Sequence, residues 1–485
     1  MKKFFYVSLA LVIAACQQPE NTNKTVTITG TIENPVNNHI FIKGSKEISS
    51  GIIDSTIVDR NGEFIIGFGI VDKNGKFETS FNIDEPGYYK FFHWNEHAFL
   101  FLSPGDSMRL SLNTEEFDET INYSGTGSAA NNFLAKKLLF EEKIRISSQR
   151  LYSLEVEQFI PKTDSVRDVM EKHLDTFLDS IQNINKKFKR FEKANILYSW
   201  VEKRFNYPEY CKHYTKKDSV DLGENYDNYL SQINLNDPSL LELGSYKNVL
   251  KTYLKTNADK ELEKDSSLKD LYYPITTIKL RLIKELFSDE KVKNFMFYSI
   301  MEPQITSSGI YKTEALMSDF EKNCTNQDYI AKIEKEVNKR KKQGEGQPAP
   351  EFAYPDMNGD TVSLSDFKGK YVYVDVWATW CSPCRREIPY LEKLQEEFKD
   401  KNIVFISVSV DDNKESWEKM VKEKNMKGVQ LFAKGWKSTI IKDYKIKGIP
   451  QFILIDTDGN IINVNAPRPS GNIKEMLEKL EGIEV

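Results

Sequence analysis

Histidine is scarce in this chain, five in 485 residues, and cysteine equally so. The histidines (His39, His93, His97, His173, His213) all lie far from the close cysteine pair Cys381 and Cys384, and no second such pair stands near it. A structural zinc site needs four ligands, so the pair is not read as a metal clamp. His93 and His97 fall four apart in "HWNEH", a spacing that converges on a helix, but the stretch reads as strand and separates them. Cys211 with His213 makes an equally incomplete set. Long apolar runs are missing too. The run from Phe4 to Ala15 is shorter than the ~20 residues a membrane-crossing helix needs. Nor is there a basic excess: 67 Lys and Arg face 72 Asp and Glu, a net charge of -5, which argues against a phosphate-tracking surface and a nucleic-acid partner. Disordered bulk is excluded by 40% apolar and 12% aromatic residues, enough for packed cores. The length calls for roughly three domains.

The amino terminus carries an address. Lys2 and Lys3, the apolar run and Ile13-Ala14-Ala15 follow one another as in a secretory signal over residues 1–15. Small residues before Cys16 resemble the bacterial lipobox, which implies that Cys16 is diacylated and becomes the first residue of the mature protein. Residues 16–24 are polar and would act as a tether. Gln17 stands where aspartate would favour inner-membrane retention, so the resemblance points to the outer membrane, the chain facing the periplasm in the cell envelope. Export places the cysteines where disulfides persist. Whether Cys211 and Cys324 pair is not fixed by sequence, since bridging needs Cα atoms within about 7 Å.

Three kinds of pattern follow. Residues 25–123 read as an all-β, sandwich-like domain: "FETSFNI" (77–83) and "RLSLN" (109–113) alternate with the period of half-buried strands. The echo "IVDRNGEF" (57–64) and "IVDKNGKF" (70–77) carries Asn-Gly twice, which predicts two hairpins of one antiparallel sheet rather than a calcium loop. Residues 124–342 read as all-α. Ser165 to Asp168 looks like a capping box opening one long helix, whose stripe runs Val166, Met170, Leu174, Phe177, Ile181, Ile184, Phe188, Phe191. The tetrad Lys339 to Lys342 complements a helix end. Residues 343–350, "QGEGQPAP", read as a linker. In 351–485 strand and helix alternate, with strands at 371–377, 403–410, 451–455 and 461–464, which implies an α/β domain with a central sheet covered on both faces.

"WATWCSPCRREIP" (377–389) holds the chemistry. A disulfide closing so short a loop removes little unfolded-state entropy, so a structural staple is disfavoured and redox work remains. Cys381 follows a strand and opens a helix, where unpaired N–H groups and the positive end of the dipole favour thiolate; it is the expected nucleophile. Pro383 suits the first helical turn. Cys384, one turn in, is the expected resolving thiol, and the less exposed of the two.

These residues carry a resemblance. Residues 348–485 look like a thioredoxin-fold domain of the TlpA/ResA-like disulfide reductases: the segment fits W-C-x-P-C-x-x-E-x-P, and "KGIPQFILID" (447–456) is similar to the thioredoxin segment whose proline is cis. More loosely, the remainder resembles the front halves of exported thioredoxin-like lipoproteins, with "SGTGSAANNFL" (124–134) similar to a recurring junction. The resemblance implies that Pro450 is cis and, with Ile449 and Trp380, meets the substrate. It implies that Asp375, a carboxylate in an otherwise apolar strand, is buried and shuttles the proton of Cys384. It implies that Glu387, on the helix face of Cys384, tunes the acidity of the site. The ResA-like branch often has asparagine where Asp375 stands, which leaves open which carboxylate handles the proton. No cofactor is called for; the implied partners are disulfide-containing client proteins and a membrane electron donor of the DsbD/CcdA type. Ser382-Pro383 lacks the histidine found before the second cysteine of strongly oxidising relatives, so reduction is the favoured direction. A peroxidase is disfavoured, although "APEFAYPDMNGDTVSLSDFKGK" resembles peroxiredoxin openings, because Ala378 stands where Thr or Ser would be needed. A lipid-anchored binding or scaffolding protein with a secondary redox domain is the other reading.

Overall fold

The computed structural model describes residues 24–44, 64–265, 267–268 and 271–483. The expected signal segment, Cys16, the tether except Lys24, and the first Asn-Gly echo except Phe64 lie outside the described residues. The chain divides into two compact units, one of Met1–Ser231 with Glu242–Tyr246, the other of Gln232–Leu241 with Lys247–Val485.

The first unit opens with β1 (Thr25–Glu33), β2 (His39–Gly44), β3 (Phe64–Ile70), β4 (Lys76–Asn82), β5 (Gly87–His93), β6 (Glu96–Leu102), β7 (Ser107–Asn113) and β8 (Asn122–Thr126). They form two four-stranded sheets in the orders β4-β1-β7-β8 and β3-β2-β5-β6. Strict alternation in β1, β2, β4 and β7 sends every second side chain inward, so Ile28, Phe77 and Leu110 of one sheet share a core with Ile42, Phe91 and Leu100 of the other. The sandwich-like reading holds. The hairpin reading does not: Asn74-Gly75 carries the chain from β3 in one sheet to β4 in the other, and β1 runs parallel to β7. The turn itself is well made. Asp72 accepts from the N–H groups of Asn74 and Lys76, both at 2.8 Å, and Gly75 sits at φ 76° where a Cβ would meet the Ile32 oxygen at 2.0 Å. Turn chemistry reverses the chain locally; which sheet receives the next strand is decided by side chains elsewhere.

Helices α1 (Phe117–Thr120), α2 (Ser128–Ile144), α3 (Ser148–Tyr152), α4 (Val156–Ser180) and α5 (Lys186–Thr215) follow. Two expectations are corrected here. Ser165 lies inside α4, which already begins at Val156, and the single long stripe is folded in two. Asn183 adopts a left-handed φ of 63°, and Asn185 caps α5 by accepting from the N–H groups of Lys187 and Phe188 at 2.8 and 3.3 Å. The two halves of the stripe therefore pack against each other, with Leu174 on α4 and Phe188 and Phe191 on α5 buried.

α2 is fastened to both sheets by consecutive amides. Asn131 accepts from the N–H of Phe101 at 2.8 Å and donates to its carbonyl at 3.0 Å, on edge strand β6. Asn132 does the same to Tyr123 on edge strand β8, at 2.9 and 2.7 Å. Each side chain mimics a neighbouring strand and satisfies edge groups that would otherwise be left unpaired.

The second unit holds α6 (Gly244–Lys264) from Lys247 onward, then α7 (Pro274–Leu286), α8 (Glu290–Ser308), α9 (Glu314–Asn323) and α10 (Gln327–Gln343). Beyond them come β9 (Ala353–Pro355), β10 (Thr361–Ser363), β11 (Tyr371–Trp377), α11 (Ser382–Glu397), β12 (Ile403–Ser409), α12 (Lys414–Lys424), β13 (Val429–Phe432), α13 (Thr439–Asp443), β14 (Gln451–Ile455), β15 (Ile461–Asn463) and α14 (Ile473–Leu477). The sheet order is β13-β12-β11-β14-β15, with β11 parallel to β12, β12 parallel to β13, and β14 and β15 antiparallel to their inner neighbours. Val372, Val374 and Val376 pack on one face with Trp417, while Tyr371 and Tyr373 pack on the other with Leu391, Leu394 and Ile473. The covered α/β sheet was expected; β13 and α13 were not.

Residues 343–350 are tied to that sheet. Gly346 donates to the Ile461 carbonyl at 2.8 Å and Ile461 to that of Gln347 at 2.9 Å. Within the basic tetrad, Arg340 is buried and pairs with buried Glu345 at 2.6 Å rather than facing solvent.

Replacing Asn131 by Ala strands two backbone groups of Phe101 and is expected to lower stability by about 2–4 kcal/mol. Denaturant midpoints measure this, and a loss below about 0.5 kcal/mol, the range of an ordinary surface change, would show that the clamp is dispensable.

Candidate active site

Every residue of β11 is buried at the centre of the sheet, so the point at which the chain leaves its carboxyl end is held from all sides. The connection is fixed further by Asp411, just past β12. Its buried carboxylate accepts from the Thr379 N–H at 2.9 Å and the Thr379 hydroxyl at 2.7 Å, and from Ser409 Oγ at 2.7 Å. Two residues later Cys381 caps α11, its sulfur accepting from the Cys384 N–H at 3.2 Å, with Pro383 in the first turn. Cys381 and Cys384 are joined as a disulfide of 1.99 Å with Cα atoms 5.3 Å apart. Their exposures are 4% and 3%, so the expected difference between them is absent in this oxidised state. Trp380, immediately before, is 58% exposed. The Ile449–Pro450 bond is cis, both residues are half-buried, and Ile449 packs on the core that contains the two cysteines.

The strand and helix that flank the pair, β11 and α11, each bury a carboxyl. Asp375 is buried on β11, and burial, reinforced by the charge of Glu387, pushes its pKa up to about 8; the Ser407 hydroxyl, opposite in register, opposes the rise. Glu387 is buried on α11 and held by a loop, accepting from the Ser470 N–H at 3.0 Å and hydroxyl at 2.9 Å, with Arg468 at 4.0 Å. A buried carboxyl that changes charge near neutrality is suited to moving protons. Asp411 and Ser470 were not foreseen. The Asp411 signal is a carboxylate directly after an apolar strand; Ser470 left none.

The histidines assemble no ligand set among the described residues. "HWNEH" is a hairpin turn with Trp94 at φ 56°, not one continuous strand: His93 ends β5 and His97 lies in β6. His93 is buried, Nε2 accepting from the Val36 N–H at 3.2 Å and Nδ1 donating to the His39 carbonyl at 3.0 Å, while His97 stacks on Phe92. Cys211 and Cys324 are buried thiols. Among the described residues no three His, Cys, Asp or Glu side chains converge as metal ligands.

Comparison with known proteins places this geometry. The Redoxin family matches residues 344–480. The thiol-disulfide oxidoreductase ResA of Bacillus thuringiensis subsp. konkukian (strain 97-27) is 34% identical over 143 residues, 29% of this chain and 82% of that one. The chain belongs to the ResA-like thiol-disulfide oxidoreductases. The thioredoxin-like protein YneN of Bacillus subtilis (strain 168) is 35% identical over 146 residues, 28% of this chain and 79% of that relative. The crystal structure of the thioredoxin domain of a thiol-disulfide oxidoreductase from Bacteroides vulgatus matches at 38% identity over 28% of this chain and 96% of that one, with a TM-score of 0.26. The match to the Redoxin family is confined to the carboxyl-terminal part. The ResA-like domain of this chain is thus a thioredoxin-like oxidoreductase, with Cys381 and Cys384 at its helix mouth.

Because the Asp375 pKa rises on folding, the folded state holds a proton that the unfolded chain has lost between about pH 4 and pH 8. The stability that depends on this group is complete below pH 4 and is lost as pH rises towards 8, at up to about 1.4 kcal/mol per pH unit. Asp375→Asn abolishes that slope. Subtracting wild-type from variant unfolding free energies at pH 5, 6, 7 and 8 should give a difference that grows with pH in favour of the variant; a constant difference contradicts the assignment.

Proposed function

We propose that this oxidoreductase acts outside the cytoplasm, anchored by lipid at Cys16, and reduces disulfides of client proteins. The observation that carries the chemistry is the Cys381 sulfur at the amino end of α11, 3.2 Å from the Cys384 nitrogen whose N–H points at it. In the reduced enzyme the same N–H and helix dipole favour thiolate at Cys381. That thiolate attacks one sulfur of a client disulfide, forming a Cys381–client bond and releasing the other client sulfur as thiolate, which takes a proton. Cys384 then gives up its proton and attacks Cys381, expelling the second client thiolate. Two electrons have passed to the client, and the enzyme is left with the Cys381–Cys384 disulfide. A membrane dithiol donor of the DsbD/CcdA type returns two electrons.

Asp375 is the proposed acceptor of the Cys384 proton, since its raised pKa puts it near the pH of operation; burial raises that value and the charge of Glu387 adds to it. Trp380, Ile449 and Pro450 are the proposed client contacts, an exposed indole on one side and a half-buried loop on the other. Anchoring at Cys16, with the outer membrane as destination, rests on the sequence of residues 1–17. Among the described residues no helix is long and apolar enough to cross a membrane.

Insulin reduction, with the enzyme recharged by a small dithiol, tests the mechanism. Cys381→Ala is expected to remove activity to background, and Cys384→Ala to retain the client as a mixed disulfide visible on a non-reducing gel. Turnover by Cys381→Ala at the wild-type rate would eliminate the exchange mechanism.

A further inference from the structure

The first unit contains a cavity of about 330 Å³ between α2, α4 and α5, within the size range of small-molecule sites. Its wall is mainly apolar, built from Ile144, Leu151, Met170, Ile196 and Trp200. The Trp200 Nε1 donates to Asp164 at 2.8 Å, so the indole brings no unpaired donor to the cavity.

Charge in the cavity is unbalanced. Its lining carries Lys137, Arg145, Arg167 and Lys203 against the single carboxylate of Glu141. Lys137 is neutralised by buried Glu192 at 2.7 Å and approached by Glu141 at 3.7 Å. Arg167 pairs with Glu171 at 2.8 Å and lies 4.6 Å over the Trp200 ring. Arg145 is exposed to solvent, whereas Lys203 is half-buried: its amine donates to the Ser199 carbonyl of its own helix at 3.2 Å and, among the described residues, makes no ion pair with a carboxylate. Burial pushes its pKa below the usual lysine range, with Glu202 and Glu141 acting against the shift. The Lys203 amine thus stands half-buried in a mainly apolar lining, with Glu202 and Glu141 acting on it from a distance but no carboxylate paired with it, and a bound anion would offset the cost of that burial.

We propose that this cavity binds a monoanionic amphiphile of the fatty-acid class, its carboxylate on Lys203 and its chain along the apolar wall. A free inorganic anion would leave that wall unfilled. A neutral lipid would leave the amine unpaired. The cavity is lined by helices of one unit and has room for a small molecule, not for a folded partner.

Calorimetry on the full chain tests this with decanoate, below its micelle concentration, against decanol. Decanoate is expected to bind at one site and decanol at least about tenfold more weakly, the worth of one charge-assisted contact. Lys203→Met keeps the stem and deletes the charge. It should weaken decanoate by a similar factor, leave decanol unchanged, and raise the melting temperature of the ligand-free chain, which a merely structural lysine would lower. Equal affinity for the two probes, no decanoate binding, or a Lys203→Met variant that binds decanoate as well as wild type would overturn the proposal. Should that variant not fold, the comparison of the two probes on the unaltered chain decides the question by itself.

Discussion

The site depends on one placement: a sulfur held at the mouth of α11, where the Cys384 N–H meets it at 3.2 Å. Much of the surrounding domain serves to keep that mouth still. Strand β11 is buried along its whole length, Asp411 fastens Thr379 in the short connection, and Pro383 fits the first turn without needing a hydrogen-bond partner. A thiolate favoured by fixed dipoles needs dipoles that do not reorient, and a connection held from two strands supplies that rigidity. Trp380, the residue before Cys381, lies outside this fastening with its indole exposed.

The second constraint is the buried carboxyl of Asp375. Ionising Asp375 in the sheet interior is unfavourable, and Glu387 on the facing helix makes it more so. Glu387 is not loose: Ser470 holds both of its oxygens, and the same loop accepts the Tyr373 hydroxyl at the Pro467 carbonyl, 2.6 Å away. The loop between β15 and α14 thereby holds in place the carboxylate whose charge adds to the burial penalty on Asp375. Helix α11 carries both Cys384 and Glu387, so one rigid element holds half of the disulfide and the carboxylate that acts on Asp375.

Much of this was legible where the information is local. The alternation of Phe77, Thr79 and Phe81, the β-branched run of β11 and the Cys-Ser-Pro-Cys turn each declare themselves within a few residues. What failed was pairing at a distance. Asn74-Gly75 gave its turn but not the sheet that follows, and Ser165 to Asp168 has the composition of a cap without being at an end, because Val156 to Asp164 were already helical. The Asn183 and Asn185 break was hidden under an unbroken apolar rhythm. β13 has only four residues, too few for a period to register. Asp411 and Ser470 act on groups 32 and 83 residues away in sequence, so no spacing could reveal them. In the first unit, Asn131 and Asn132 read as part of a junction motif, while their work as substitutes for strands emerges only once two sheet edges stand on either side of one helix.

The most direct measurement is alkylation of the reduced chain with iodoacetamide from pH 5 to pH 9, the adduct located by mass spectrometry. If the helix mouth favours thiolate, Cys381 reacts first and its rate has levelled off by neutral pH, below the ~8.5 at which an ordinary thiol ionises. First reaction at Cys384, or a Cys381 rate still climbing through pH 8.5, would contradict the account.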